Sequence, residues 1–563
     1  FFQFSIRNVV SWNTLITAYV QYGHGENALQ CFDQMQHEGY SPDVVTFICI
    51  LKACGCIGSA EMGEKIHAKI VRKRLLEKDA LIGTALVDMY AKCGALGKAK
   101  EVFDQLPSQD LVSWGALIAG YAEHGHGDDA LNCFDHMRQN GFSPDSLIFV
   151  CIIKACASIR LFRKGKEIHN ELITGGFLEK DLLIGTALMD LYTKCGALAE
   201  AEWVFDKIQF RNTVMWNVLI TGYLSHGHGN KSEVCFQRMQ CEGVCQDEVT
   251  FAGILKALGS IAQIHKGKRI HAAIVGEVYL PKHNLVGNAL MDMYAKCGDL
   301  TKVQEQFEQL QVRNVESWNV LITGYKQHGY WKEVLKRFQC MQCEGLAPNT
   351  VTFICILQTC GSIGAAGKGE EIHAEIVRGS LMAKNVLVGN ALLDMYAKCG
   401  SAAKAQEVAD QLPVQDVISW TALIAGYAHL GKDDIAISLF NSMLGKGVEP
   451  DAVVFTVVLS ACSHAGLLDM GHIYFEMMSS YYGVIPTVQH HTCMVDLYGR
   501  AGHFDKAVAV INTMQTFDYL PVWSALLGAC QNQQNLELGR QAFDNAVRLD
   551  DKHAALYVCM SNI

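Results

Sequence analysis

Three His-x-Glu triplets, at residues 24–26, 169–171 and 373–375, are the nearest match in this sequence to a catalytic motif. Zinc-dependent deaminases use such a triplet for one metal ligand and for a glutamate that transfers protons, and they complete the site with Pro-Cys-x-x-Cys. None of the nine prolines is followed by cysteine. Because the second half of the site is missing, the sequence predicts that this chain is not an enzyme.

Other residues that could bind a metal or a phosphate form isolated motifs. Cys340–Cys343 is a single Cys-x-x-Cys, whereas a structural zinc site needs a second pair at suitable spacing. The His-Gly-His triplets at 124–126 and 226–228 fall in predicted turns, where the flexibility of glycine explains them. No P-loop, dinucleotide-binding or nucleophile motif is present. The sequence therefore predicts neither a metal nor a cofactor.

These motifs lie within a repeat of 102 residues, and the repeat determines the architecture. Three residue types recur at this spacing: Trp12, Trp114, Trp216, Trp318 and Trp420; His67, His169, His271 and His373; Cys93, Cys195, Cys297 and Cys399. A chain of 563 residues is too long for one compact core. Its self-similarity predicts an array in which each unit packs only on its neighbours.

Each 102-residue unit divides into parts of 35, 36 and 31 residues, which in the first unit are Val9–Asp43, Val44–Asp79 and Ala80–Asp110. The first part has an apolar stripe over residues 12–19, a glycine-rich break and a second stripe over residues 28–35. Every part reads as such a pair of amphipathic helices, which needs a neighbour to bury its apolar face. Fifteen parts fill residues 9–519, and a different helical pair starts at Leu520. The pattern predicts an all-α solenoid of stacked antiparallel helix pairs.

Composition limits the partners of this array. The net charge of −10 gives no global basic surface for nucleic acid, although a local basic stripe is compatible with it. Lysines that recur with the repeat could face phosphates or could be solvated: Lys52, Lys154 and Lys256, and Lys92, Lys194, Lys296 and Lys398. No apolar run reaches the length of a membrane span, so we expect no membrane partner. Most of the 22 cysteines follow the repeat, and we interpret them as small buried residues in a reducing compartment.

The repeated segments resemble the motifs of plant pentatricopeptide repeat proteins of the PLS subclass. VSWNTLITAYVQYGHGENALQCFDQMQHEGYSPD is similar to the P motif, VTFICILKACG…GEKIHAKIV to the L motif, and ALIGTALVDMYAKCGALGKAKEVFDQLPSQD to the S motif. Residues 520–563, beginning LPVWSALLGAC, resemble the start of the E-type extension that follows such arrays, and residues 1–8 resemble the remnant of a truncated repeat. The resemblance implies a right-handed superhelix and a mitochondrial or chloroplast location. The DYW deaminase domain of longer relatives is absent from this chain.

In that family each repeat reads one base of single-stranded RNA with the fifth residue of its first helix and its last residue. We call these two positions the slots. Carried onto this sequence, the resemblance implies U for Asn13/Asp43, Asn217/Asp247 and Asn390/Asp416, G for Thr84/Asp110 and Thr421/Asp451, A for Thr186/Asn212, and a pyrimidine for Asn288/Asn314 and Asn319/Asn349. Helical repeats that present two side chains per base are a known route to RNA recognition.

The remaining repeats depart from these pairs. The L-type repeats place the apolar residues Ile48, Val150, Ala252 and Ile354 in the fifth position, so we interpret them as spacers. Gly115 leaves Asp145 alone to discriminate weakly, and Thr456/Thr487 and Thr492/Tyr519 are non-standard pairs. The implied target is 5′-U-N-G-N-N-A-U-N-Y-Y-N-U-G-N-N-3′, with an edited cytidine four nucleotides beyond the last base.

A second interpretation of the polar slots stays open. Asn, Asp and Thr are common at helix starts, and capping of the next helix would suffice for Asp43, Asp110 and Asp451. Restriction of one slot to Asn or Thr and of the other to Asp or Asn favours recognition. The first hypothesis is therefore the RNA-binding, site-recognition part of an organellar C-to-U editing factor, served by a deaminase-bearing protein docked at the E-type end. The alternatives are a protein-interaction scaffold and an organellar RNA processing or stability factor.

Overall fold

The computed structural model describes residues 8–76, 79–177, 181–276, 284–514 and 519–563. Over these ranges the chain forms helices and turns with no strand, which confirms the predicted all-α class. The predicted remnant at residues 1–8 lies outside the described residues, apart from Asn8. In the described parts of the chain, no helix combines the length and the apolar character that crossing a bilayer requires.

The chain divides into two compact units, residues 1–297 and 298–563. The helices of the first unit are α1 Val9–Gln21, α2 Gly25–His37, α3 Val44–Ile57, α4 Ala60–Arg72, α5 Ala80–Lys92, α6 Leu96–Asp104, α7 Leu111–Glu123, α8 Gly127–Gln139, α9 Ser146–Ser158, α10 Phe162–Thr174, α11 Leu182–Lys194, α12 Leu198–Lys207, α13 Thr213–Ser225, α14 Gly229–Cys241, α15 Glu248–Ser260, α16 Ile264–Gly276 and α17 Asn284–Lys296.

The helices of the second unit follow the same pattern. They are α18 Leu300–Gln309, α19 Val315–Gln327, α20 Trp331–Cys343, α21 Thr350–Ile363, α22 Ala366–Arg378, α23 Leu381–Lys384, α24 Val386–Lys398, α25 Ala402–Gln411, α26 Val417–His429, α27 Asp433–Gly445, α28 Ala452–Ala465, α29 Leu468–Ser480, α30 Val488–Arg500, α31 Phe504–Thr513, α32 Leu520–Gln533, α33 Leu536–Leu549 and α34 Ala554–Ser561.

The first helix pair shows why these residues fold in this way. Asn8 caps α1, because its side chain accepts from the backbone N–H of Ser11 while the Ser11 hydroxyl accepts from the backbone N–H of Asn8. Gly23 has a φ of +76°, a left-handed conformation that ends the helix and that glycine adopts without strain. Trp12 and Phe32 are buried between the two helices of the pair. The local signals fix the helix ends, and apolar burial holds the pair together.

The first helices of successive pairs form one layer of each unit. In the first unit α1 contacts α3, α3 contacts α5, and this continues to α17, while α2 packs on both α1 and α3. The layer is closely spaced: a Cβ on Gly120 of α7 would come within 2.5 Å of the Cβ of Ala91 on α5. Consecutive first helices therefore present one continuous face, and this α-solenoid packing places equivalent residues of neighbouring repeats side by side.

Histidine–tyrosine hydrogen bonds tie the two layers together once in every 102 residues. The Nδ1 atoms of His67, His169 and His373 lie 3.0, 2.6 and 2.9 Å from the hydroxyls of Tyr90, Tyr192 and Tyr396. Burial lowers the pKa of each of these histidines, because the imidazolium loses hydration. His169 and His373, which belong to two of the three His-x-Glu triplets, are thus engaged in these histidine–tyrosine hydrogen bonds.

These histidines make stability depend on pH in a defined direction. Their folded-state pKa lies below the unfolded value of 6.5, so the unfolded chain binds more protons as the solution becomes acidic. The stability that they support is fully present above about pH 6.5 and is lost as the pH falls below it. We expect the unfolding temperature to fall by several degrees between pH 7.5 and pH 5. A variant carrying His67→Gln, His169→Gln and His373→Gln should show a flatter profile, and an equally steep one would contradict this assignment.

Candidate nucleic-acid interface

The two slots of a repeat lie next to each other in the structure. The last residue of one repeat is the N-cap of the next first helix, and the preceding first helix carries the fifth residue one turn from its start. Side-chain amides join the slots in four repeats: Nδ2 of Asn13 donates to Oδ1 of Asp43 (3.0 Å), Asn217 to Asp247 (2.9 Å), Asn319 to Asn349 (3.0 Å) and Asn390 to both oxygens of Asp416 (3.1 Å). These asparagines are more than nine-tenths buried, and the hydrogen bonds restrict their movement before any ligand binds.

The last-residue slot also caps the following helix. Oδ1 of Asp43 accepts from the backbone N–H of Thr46 at 2.8 Å, and the same contact is made by Asp110, Asp145, Asn212, Asp247, Asn314, Asn349, Asp416 and Asp451. Burial alone would raise the pKa of Asp43, but hydrogen bonds from Thr46, Asn13 and the backbone hold it below its ordinary value. The two interpretations are therefore compatible at Asp43, since Oδ1 caps the helix and Oδ2 can serve a ligand.

Threonines in the fifth position behave differently. Each hydroxyl donates to the backbone carbonyl four residues earlier, in Thr84, Thr186, Thr421, Thr456 and Thr492. Within the described residues, no hydrogen bond joins Thr84 to Asp110 or Thr421 to Asp451. Because the hydroxyl proton is used on the backbone, the threonine oxygen offers acceptor lone pairs to a ligand. Of the remaining pairs, Asn288 and Asn314 lie in different units, and Asn314 caps α19.

In each unit, exposed apolar side chains lie on the same helix face as the slots, and sequence reasoning missed them. The second residue of nearly every first helix is a large apolar residue with 45% to 69% of its surface exposed: Val10, Val45, Leu81, Val112, Leu147, Leu183, Val214, Val249, Leu285, Val351, Leu387, Ile418 and Val453. We call this set the apolar ladder. Positions two and five are three residues apart, so they share a helix face. A flat ring that packs between the ladder residues of two successive first helices, which we call rungs, would have its edge within reach of the slots.

In the first unit the ladder and the slots border one groove of about 730 Å³. Its lining includes the fifth residues of three successive repeats, Ile48, Thr84 and Gly115, together with Asp145. The ladder residues Leu81 and Val112 of the second and third of these repeats, and Leu147 of the repeat that follows them, line the same space. The groove therefore brings slot residues and ladder residues together on a single surface.

Two comparisons with known proteins bear on this arrangement. The model of the PPR repeat family matches residues 7–56, 109–158, 211–260, 313–362 and 415–464, and the PPR repeat model matches 84–111, 186–212, 288–315, 453–481 and 490–519. A chloroplastic pentatricopeptide repeat-containing protein of Arabidopsis thaliana is 34% identical over 554 residues, which are 98% of this chain and 68% of that protein. The chain belongs to the pentatricopeptide repeat family.

Further relatives of this pentatricopeptide repeat protein are named for the mitochondrion and for the chloroplast. A mitochondrial member from Arabidopsis thaliana is 33% identical over 99% of the chain and 72% of its own length. Another, chloroplastic, is 34% identical, and the chain spans 65% of its length. Among solved structures, the maize protein PPR10 shares the fold, with a TM-score of 0.58 at 18% identity over 98% of this chain and 85% of that one.

The recurrent lysines of the pentatricopeptide repeat array separate into two groups. Lys92 donates to Asp88 four residues earlier at 2.8 Å, and Lys194, Lys296 and Lys398 make the equivalent ion pair. Lys52 instead lines the groove beside Ile48. Lys52, Lys154 and Lys256 are exposed and form no ion pair among the described residues. Only this second group offers free cations near the slots.

One of the two repeated cysteine series lies in the core, as the sequence predicted, whereas Cys93, Cys195, Cys297 and Cys399 are only partly buried. Cys54, Cys156, Cys360 and Cys462 are fully buried. Burial raises the pKa of Cys54 and Cys360 to about 11, which keeps both thiols protonated at neutral pH. Within the described residues, no three His, Cys, Asp or Glu side chains converge as a metal site would require.

Proposed function

We propose that this pentatricopeptide repeat protein binds single-stranded RNA of a defined sequence, one base per repeat. The observation that carries the proposal is the repeated juxtaposition of a preoriented polar pair with an exposed apolar rung on one helix face. Single-stranded RNA presents flat base faces and free Watson–Crick edges together, and few other ligands offer both at a regular spacing. The exposed apolar rungs offer contacts for the base faces, and the polar slots offer hydrogen bonds for the Watson–Crick edges.

The chemistry of the slots supports the base assignments. In the Asn217/Asp247 repeat, the charged Asp247 offers an acceptor, and uracil carries an N–H donor on the facing edge. In the Thr84/Asp110 repeat, both slots offer acceptors, which suits a base edge rich in donors such as that of guanine. Free cations such as Lys52 suit the phosphates.

The finer proposal is that the array selects the site in an organellar C-to-U editing factor of the PLS class. Residues 9–519 would then form five P-L-S triplets, and residues 520–563 would begin an E-type extension. A deaminase-bearing protein docked at that extension, or a domain of a longer form of the protein, would supply the chemistry. Relatives named for the chloroplast and for the mitochondrion fit an organellar location.

The test is binding of the purified chain to a labelled RNA of sequence 5′-U-N-G-N-N-A-U-N-Y-Y-N-U-G-N-N-3′, repeated over a salt series. Exchange of the seventh nucleotide from U to G should cost about 1 kcal/mol or somewhat more at fixed salt. Exchange of the eighth nucleotide, which faces the spacer residue Ala252, should cost much less and is the matched control. Equal binding of all RNAs that disappears with salt would mean phosphate binding alone. No binding at all would favour a protein-interaction scaffold.

A further inference from the structure

Three threonine hydroxyls contact the asparagines that occupy the fifth position. Oγ1 of Thr46 lies 2.6 Å from Oδ1 of Asn13, and the distance is also 2.6 Å from Thr250 to Asn217 and from Thr352 to Asn319. All three threonines are fully buried. Each is the third residue of the helix that follows the slot pair, so one side chain closes a triangle with both slots.

The hydrogen-bond pattern of this triangle allows one orientation of the amide. Oδ1 of Asp247 accepts from the Thr250 backbone N–H at 2.8 Å and is 2.9 Å from the asparagine side chain, so the amide must turn its NH2 group toward it. The amide oxygen then faces the Thr250 hydroxyl at 2.6 Å and is the nearer acceptor of its proton, since Oδ1 of Asp247 lies 2.8 Å from the same hydroxyl. With the amide reversed, two acceptor oxygens would face each other at the carboxylate. The carboxylate and the hydroxyl thus fix opposite ends of Asn217.

The five equivalent P-to-L junctions of the chain provide an internal comparison. Where the fifth residue is Asn, the third residue of the next helix is Thr: Asn13 with Thr46, Asn217 with Thr250, and Asn319 with Thr352. Where the fifth residue is Gly115 or Thr421, that position holds Ile148 or Val454. Capping does not require the hydroxyl, because Asp145 accepts from the Ile148 N–H at 2.9 Å in its absence. The threonine hydroxyl is therefore found where the fifth residue is Asn, and helix capping does not explain its presence.

The S-to-P junction after Asn390 shows what happens without this threonine. Ser419 occupies the equivalent position, and its hydroxyl turns back to the carbonyl of Asp416 at 2.7 Å. Oδ1 of Asn390 is then buried without a hydrogen-bond partner in the described structure. One end of this amide is held by Asp416 alone, so its orientation is less restricted.

We propose that Thr46, Thr250 and Thr352 are positioning residues for base recognition. Their hydroxyls hold the side-chain amide of the asparagine that faces the RNA in one of its two flip orientations. The proposal rests on the proposed function and deepens it. An amide held in one orientation presents its remaining N–H donor and its remaining acceptor lone pair in fixed directions. The acceptor and donor on a uracil edge can pair with both of these groups, whereas the donor and acceptor on a cytosine edge do not match them. The three P-type repeats should therefore discriminate between pyrimidines more sharply than the Asn390 repeat does.

The test compares Thr250→Val with Thr250→Ser at the seventh nucleotide. Valine keeps the shape and removes the hydroxyl, whereas serine keeps the hydroxyl. The ratio of affinities for U and C at that nucleotide should fall roughly fivefold in Thr250→Val, the loss expected for one hydrogen bond, and should recover in Thr250→Ser. Wild-type chain that shows no U preference would overturn the proposed function itself. A preference that survives unchanged in Thr250→Val would overturn only this inference.

Ser113→Ala is the matched control for lost capping. The Ser113 hydroxyl accepts from the backbone N–H of Asp110 at 3.0 Å and donates to its carbonyl at 2.9 Å, but it has no asparagine to contact. Both substitutions therefore remove a capping-box hydroxyl, and thermal unfolding should register both. Discrimination at the third nucleotide should stay unchanged in Ser113→Ala. An equal loss of discrimination in the two variants would assign the effect to helix capping and contradict positioning.

A transplant tests the same idea by gain of function. A Cβ at Gly115 would meet Ile148 only at ordinary distances of 3.6 and 3.8 Å, so a side chain can be added there without a clash at its Cβ. Gly115→Asn alone should create a modest U preference at the fourth nucleotide. Adding Ile148→Thr should increase it roughly fivefold by supplying the missing hydroxyl. Equal preferences in the single and double variants would contradict the proposal.

Discussion

Replacement of Val45, Leu81 and Val112 by serine should weaken binding of the matched RNA by roughly a hundredfold, with little change in the unfolding temperature. These three rungs of the apolar ladder belong to successive repeats and are 51%, 62% and 67% exposed, so folding gains little from them. In the proposed complex, their apolar surface would be buried by bases that pack between them. A loss of about 1 kcal/mol at each rung is a conservative figure for buried apolar contact, and about 3 kcal/mol corresponds to that factor.

The control for this experiment uses exposed valines that lie off the ladder. Val71, Val275 and Val377 are 52%, 55% and 51% exposed and sit on second helices, α4, α16 and α22. Their replacement by serine removes similar apolar surface from the other layer, so RNA affinity should stay within about twofold, as for surface changes away from a site. Affinity is measured by titration at fixed salt, with thermal unfolding in parallel. Equal losses in both triple variants would remove the ladder from the interface.

The sequence predicted the helices well because their ends are encoded locally. A helix begins at each residue where the repeat pattern placed a new part, from Val9 through Val44 and Ala80 to Val488. Asx caps precede most of these starts, and left-handed glycines such as Gly23 end the helices before the second helix of a pair. Such signals act within a few residues, and a fixed repeat multiplies them.

The site was predicted only in part, since its contacts join residues more than 25 positions apart. The resemblance implied that Asn13 and Asp43 act together, but not that they are hydrogen-bonded to each other and to Thr46. The apolar ladder escaped notice for another reason. Periodicity marks the buried stripe of α1 that begins at Trp12, and Val10 lies off this stripe because residues two positions apart do not share a helix face. Val10 is 69% exposed, whereas Trp12 is fully buried. Only packing of the neighbouring repeats decides which apolar residues remain accessible.

Trp216→Ala should have the largest effect on stability, with an expected cost of about 3–5 kcal/mol for the loss of a buried tryptophan. The indole of Trp216 is fully buried, and its ring lies 4.5 Å from that of Phe205 in an edge-to-face arrangement, with the guanidinium of Arg238 5.7 Å from its centre. These partners come from α12 and α14, so the cavity would open where one repeat packs on the next. Trp203→Ala is the control, because Trp203 is 44% exposed and packs on the ring of His169 and under the ammonium of Lys207.

The loss of stability in Trp216→Ala should be local. In a repeat array each unit is stabilised mainly by its neighbours, so the loss should concentrate at the junction of α12 with α13 and α14 instead of spreading over the chain. Hydrogen exchange should accelerate there first, and urea unfolding should broaden or split. If the junction also sets the spacing of successive bases, discrimination at the sixth and seventh nucleotides should weaken while the first and third remain well read. Uniform acceleration of exchange across both units would show that the array unfolds as one cooperative block, and the damage would then weaken reading at all four nucleotides equally.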